Sequence, residues 1–122
     1  MPAPSILWLV RDFRFDDNAA LLAASAGGPV LPVFVLDAAT RAQGSASRWR
    51  LGQALAVFDA AWHARTGEHI SIFEGEAAAI LPGLAARIGA RDIHQNDWPA
   101  PTQQAAQAAL RDALKGEARL HL

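Results

Sequence analysis

Five short apolar runs alternate with longer stretches rich in alanine and leucine, and this alternation limits the possible folds more than any other feature. "SILWLV" (5–10) is unbroken apolar over strand length, the pattern of a strand covered on both faces. "AALLAASA" follows, with Asp17 or Asn18 as its N-cap and Gly27-Gly28 as its stop. "VLPVFVLD" (30–37) is a second buried run, whose Pro32 belongs near the strand's start or at a bulge. The loop "AATRAQGSAS" leads to a helix expected from Ser47 to Thr66 and closed by Gly67. Leu51, Leu55, Phe58, Ala61 and Trp62 share one face of it. "HISIFE" (69–74) alternates in character and reads as a strand nearer an edge. "AAAILPGLAARIGA" holds a short helix with Pro82 in its first turn and Gly89 as its stop. "DIHQN" (92–96) is a fourth strand and "DWPAP" a rigid loop. "TQQAAQAALRDALKG" is a helix capped by Thr102, and "ARLHL" starts a fifth strand.

The order β-α-β-α-β-α-β-α-β calls for a parallel sheet with right-handed crossovers and helices on both faces. A Rossmann-like, doubly wound α/β domain over 1–122 is expected, with strand order 3-2-1-4-5 or, in the other common arrangement, 2-1-3-4-5. In the first order the winding reverses between strands 1 and 4, and a crevice opens at their carboxyl ends. The loops that meet there are Arg11–Asn18 and Asn96–Pro101. A chain of 122 residues is long enough for one core and too short for two.

Several chemistries are poorly served by these residues. There is no GxGxxG and no GxxxxGK[ST], so dinucleotide and P-loop phosphate binding lack their usual cradle. No cysteine is present, which removes disulfides and thiolate zinc sites and fits a cytoplasmic protein. The four histidines have no metal-ligand spacing: His63 and His121 are expected on the surface, His69 at a strand start, and His94 in the core. No serine lies in a GxSxG elbow. A formal net charge of −1 gives no basic field for nucleic acid or anionic lipid, and "MPAPSILWLV" resembles neither a signal peptide nor a membrane span.

The loop after strand 1 is different. Arg11, Asp12, Arg14, Asp16, Asp17 and Asn18 crowd the point where such folds bind ligands. Ion pairs that pin the loop and contacts to a ligand are both open for Arg11 and Asp12. Trp8 and Trp62 are core positions by pattern, whereas Trp49, between Arg48 and Arg50, and Trp98 belong to the crevice rim. Flat rings and guanidinium groups around a crevice suit a flat, anionic heteroaromatic.

"WLVRDFRFDDNAALLAA" resembles the N-terminal signature of the DNA photolyase/cryptochrome family, usually Trp-Phe-Arg-Arg-Asp-Leu-Arg-Leu-x-Asp-Asn. Trp8, Arg11, Asp12, Arg14, Asp17 and Asn18 match it, while Val10, Phe13 and Phe15 depart from it. The resemblance continues through "GPVLPVFVLD", "GSASRWRLGQAL", "EGEAAAILPGLAARIGA" and "IHQNDWPAP", in order and at family spacing. It implies the family's first domain, an α/β unit that in many members holds a light-harvesting antenna pigment. The larger helical domain that binds FAD and grips damaged DNA falls outside this chain. By that resemblance the parent protein is a deoxyribodipyrimidine photo-lyase or a blue-light sensor, and this domain is non-catalytic alone.

The resemblance also implies a pigment site at the crevice. Carried over by position, Arg11 and Asp12 come from the strand-1 loop, Arg48 opens the second helix, and Asn96 with Asp97 follows strand 4. A deazaflavin or FMN is favoured over a folate, because folate-type members carry an Asn-Glu pair where this chain has about Pro101-Thr102. The competing readings are a docking module that binds no pigment and a stand-alone nucleotide-binding protein of universal-stress type. The latter generally has a late glycine-rich phosphate loop, absent from this sequence.

Overall fold

The computed structural model describes residues 3–122; Met1 and Pro2, within the domain expected over 1–122, lie outside them. Five strands, β1 (Ser5–Leu9), β2 (Val30–Leu36), β3 (Ser71–Glu74), β4 (Asp92–His94) and β5 (Arg119–His121), form one all-parallel sheet. Their order is β3-β2-β1-β4-β5, the first of the two expected arrangements. Helices α1 (Ala19–Ala26), α2 (Ala38–Arg41), α3 (Ser45–Thr66), α4 (Ala77–Ile88) and α5 (Pro101–Leu114) connect them.

Alternation along β1 divides the core in two. Ile6 and Trp8 pack with Leu81, Leu84, Leu110 and Leu114 of α4 and α5, while Leu7 and Leu9 pack with Ala20 of α1 and Phe58 and Trp62 of α3. Every residue of β1 is buried, as a central strand covered on both faces requires. Pro32 is tolerated because at that register β2 has only β1 beside it: pairing with β3 begins one residue later, at Val33. β3 is an edge strand, as its alternating sequence predicts.

Several local expectations are corrected. Asn18, not Asp17, caps α1, accepting from the Leu21 N–H at 3.1 Å; Asp17 adopts φ +50° in the turn before it. The loop after β2 contains α2, whose N-cap Asp37 accepts from the Thr40 N–H at 2.8 Å, and α3 starts at Ser45 rather than Ser47. Pro82 lies inside α4, because the run Ala77-Ala78-Ala79-Ile80 starts the helix before it. α5 starts at Pro101, whose fixed φ suits the first helical position, so Thr102 lies within the helix and Ala100 at its N-cap. β4 ends at His94, although the Gln95 N–H still reaches the His121 carbonyl at 3.0 Å. His94 is only half-buried and stacks on His121, centroids 4.8 Å apart. Among the described residues no helix is long and apolar enough to cross a membrane.

Candidate functional site

The strand-1 loop is held from both sides. Phe13 packs at 5.9 Å from Phe34, and Phe15 at 4.8 Å from Phe58 and 5.9 Å from Trp62, with the Arg65 guanidinium 3.6 Å above the Phe15 ring. These aromatic contacts fasten the loop to α3 and β2. Its polar residues face the other way. Asp12, fully buried, accepts from the Val10 N–H at 3.0 Å and from Asn96 Nδ2 at 2.6 Å. Asn18 Oδ1 also receives Asn96 Nδ2, at 2.8 Å, and Asn18 Nδ2 donates to the Asp12 and Arg14 carbonyls. Asn96 Oδ1 accepts from the Ala20 N–H at 3.0 Å. Asp12, Asn18 and Asn96 therefore stitch the ends of β1 and β4 together where the sheet reverses its winding.

Beside this stitch lies a cavity of about 200 Å³ at the carboxyl ends of β1 and β2. Trp8, Phe34 and Trp98 bring aromatic surface to it, Arg11 a guanidinium, and Gln43 and Gln103 amides from beyond α2 and from α5. A second cavity, of about 350 Å³, shares Phe34, Thr40 and Leu51 with the first and adds Arg41, Arg48 and Leu55. Trp98 is positioned from α5: Gln104 Nε2 donates to the Trp98 carbonyl and, at 2.9 Å, to Asp97 Oδ1. Pro99 and Pro101 restrict the backbone around it.

Three polar atoms among the residues that line the first cavity are buried without a partner: Gln43 Oε1, Gln103 Oε1 and the Trp98 indole nitrogen. Each such group costs about 1–3 kcal/mol when left unpaired.

The expected site residues fall into two groups. Arg11 lines the first cavity and Arg48 the second, both exposed. Asp12 and Asn96 are occupied with each other, and Asp97 is exposed and engaged by Gln104. Trp98 lines the cavity, whereas Trp49 is 67% exposed on α3 and lines neither. Sequence reading missed Gln43 and Gln103. Lone glutamines in an alanine-rich helix or loop carry no motif, and only the third dimension brings them to one cavity.

The DNA photolyase family model matches residues 5–122. The chain belongs to the DNA photolyase family. A deoxyribodipyrimidine photo-lyase of Agrobacterium fabrum is 34% identical over 116 residues, covering 94% of this chain and 24% of that protein. Cryptochrome-1 of Arabidopsis thaliana is 30% identical over 116 residues, covering 93% of this chain and 17% of its own length. The chain thus spans about a quarter or less of these relatives. The crystal structure of a bacterial class III photolyase from Agrobacterium tumefaciens superposes with a TM-score of 0.86 at 32% identity, covering 98% of this chain and 25% of that one. A Synechocystis cryptochrome shares the fold, with a TM-score of 0.80 at 20% identity over 93% of this chain and 25% of its own.

Proposed function

We propose that this photolyase-family domain holds a flat light-absorbing antenna pigment in the crevice at the ends of β1 and β2. Absorbed energy then passes to FAD in a C-terminal helical domain. The observation that carries this reading is the cavity between Trp8, Phe34 and Trp98 with Arg11 at its side, adjoining the Arg48 cavity. Aromatic walls suit a planar ring, and a guanidinium suits its anionic group. Energy transfer requires a fixed distance and orientation, and the Asp12–Asn18–Asn96 stitch supplies a rigid edge. The residues present fit such a group: Arg11 and Arg48 would take its charge, and the Trp98 loop would cover its ring. A deazaflavin or FMN suits this chain better than a folate.

In this reading the domain alone is non-catalytic. Light-driven pyrimidine-dimer repair or blue-light sensing belongs to a longer cytoplasmic protein, which meets DNA through its helical domain. The test is to purify the protein from its own cells and record its absorption spectrum, then repeat it after mild unfolding. A visible band from a pigment other than FAD, released on unfolding of this domain, supports the proposal. A correctly folded protein with no such band supports the docking-module reading instead.

A further inference from the structure

From the stacked rings of His94 and His121 we infer that β5 is an acid-released edge strand, leaving the sheet as a unit while the other four strands stay paired.

β5 is three residues long and pairs only with β4, setting Asp92 beside Arg119, Ile93 beside Leu120 and His94 beside His121. It buries one side chain, Leu120, whose carbonyl also accepts from Arg111 of α5 at 3.3 Å. The Arg119 N–H reaches the Arg91 carbonyl at 2.9 Å, and the Gln95 N–H the His121 carbonyl at 3.0 Å. So short an edge has little burial to hold it.

The opposite face of this pair carries its titratable groups. The His121 ring stacks on His94, centroids 4.8 Å apart, and its Nε2 lies 2.8 Å from Asp92 Oδ1. Arg119 shares that face by the alternation of β5 and adds a positive charge. α1 packs against β4 without a charged residue: Ala19, Ala20 and Ala23 line a cavity with His94 and His121. Asp97 also lines it and is engaged by Gln104. One carboxylate therefore serves two imidazoles.

Acid puts a proton on each ring, and like charges then face each other across the stack. Burial, and then the charge of His121, opposes the proton on His94, while Asp92 favours it. Opening β5 gives His94 water and parts it from His121, so protons favour the open strand. Release leaves the edge of β4 free to pair with another strand. The other two histidines stand differently. His63 and His69 stack at 4.2 Å beside Asp59, ahead of edge strand β3, with both rings exposed. Water screens charge there, and β3 pairs over four residues, so β3 keeps its place.

The test follows amide hydrogen exchange in the protein by NMR at pH 7.5 and about pH 5, each rate divided by its intrinsic rate. In acid the Gln95 and Arg119 amides are expected to lose at least about tenfold more protection than those of β1 and β3, the mark of local opening. His94→Phe keeps a ring to stack but takes no proton, and His121→Gln removes the second charge; circular dichroism verifies that each folds. Both variants are expected to remove most of that excess. Equal loss across all five strands, or retained protection at Gln95 and Arg119, would overturn the proposal. So would an excess that is unchanged in either folded variant.

Discussion

Asn96 Nδ2 lies 2.6 Å from Asp12 Oδ2 and 2.8 Å from Asn18 Oδ1, joining residues 84 and 78 positions apart in the chain. One amide thus bridges the two loops that flank the reversal of the sheet, while its oxygen holds the Ala20 N–H of α1. Replacing Asn96 by Ala leaves a fully buried carboxylate short of a donor and a helix N–H short of an acceptor. The expected loss is about 2–4 kcal/mol, read from urea unfolding. A loss below about 1 kcal/mol would mean that water replaces the amide and that the stitch is not a fixed edge.

Asp17 and Asn18, adjacent acceptors before α1, have unlike roles. Asn18→Ala removes the cap and both bonds to the strand-1 loop carbonyls, so it should cost more than the roughly 1 kcal/mol of a lost cap. Asp17 is exposed with φ +50°. Asp17→Ala is expected to lose about 0.5–1 kcal/mol, and Asp17→Gly to be at least as stable as the parent, because glycine enters the left-handed region freely. A glycine variant less stable than the alanine variant would refute the strain argument.

The same pair marks where the sequence was legible. Apolar runs set strand order and core because burial acts on whole segments, and Ile6, Trp8 and Leu9 had nowhere else to go. Asp17 or Asn18 was undecidable, since both types cap helices and only the turn geometry selects one. For Asp12 loop-pinning and ligand contact were both open, because motif position says nothing of direction; in the fold Asp12 and Asn96 bond to each other. Arg11 and Arg48 lie exposed beside the two cavities, as expected of a charge at a strand or helix end, which has few buried uses. Gln43 and Gln103 gave no signal, because an unpaired amide is a property of the packed chain.

Pro82 sits inside α4, where it deprives the Ala78 carbonyl of its N–H partner. Pro82→Ala restores that bond and is expected to raise stability by about 1–3 kcal/mol. The proline is half-buried, so the gain will fall toward the lower figure where its ring packs against the helix's neighbours. A loss on substitution would show that this packing outweighs the missing hydrogen bond.

Burial holds the His94 pKa below its ordinary 6.5, and the charge of neighbouring His121 adds to the depression while Asp92 opposes it. The unfolded chain therefore takes up this proton at a higher pH than the folded one. The associated stability is fully present above pH 6.5 and is lost as pH falls from there through the folded value. Unfolding free energies measured from pH 7.5 down to about pH 5 should decline, and His94→Gln should flatten that decline. An unaltered slope in the variant would assign the acid sensitivity to another group.

Arg11 and Arg48 line adjoining cavities that share Phe34, Thr40 and Leu51, so one elongated anionic guest could meet both. Both are exposed, and neither forms an ion pair among the described residues. Replacing either by Ala should leave stability within about 0.5 kcal/mol. If the guest carries its charge past Leu51, Arg11→Ala and Arg48→Ala each weaken FMN binding, by about three- to tenfold, and each reduces its dependence on salt. Arg48→Lys separates charge from geometry: a lysine restores the salt dependence but not the bidentate grip, so affinity should recover only in part. Full recovery would make Arg48 a point charge at the rim. No effect of Arg48→Ala, with a clear effect of Arg11→Ala, would confine the guest to the cavity between β1, β2 and Trp98.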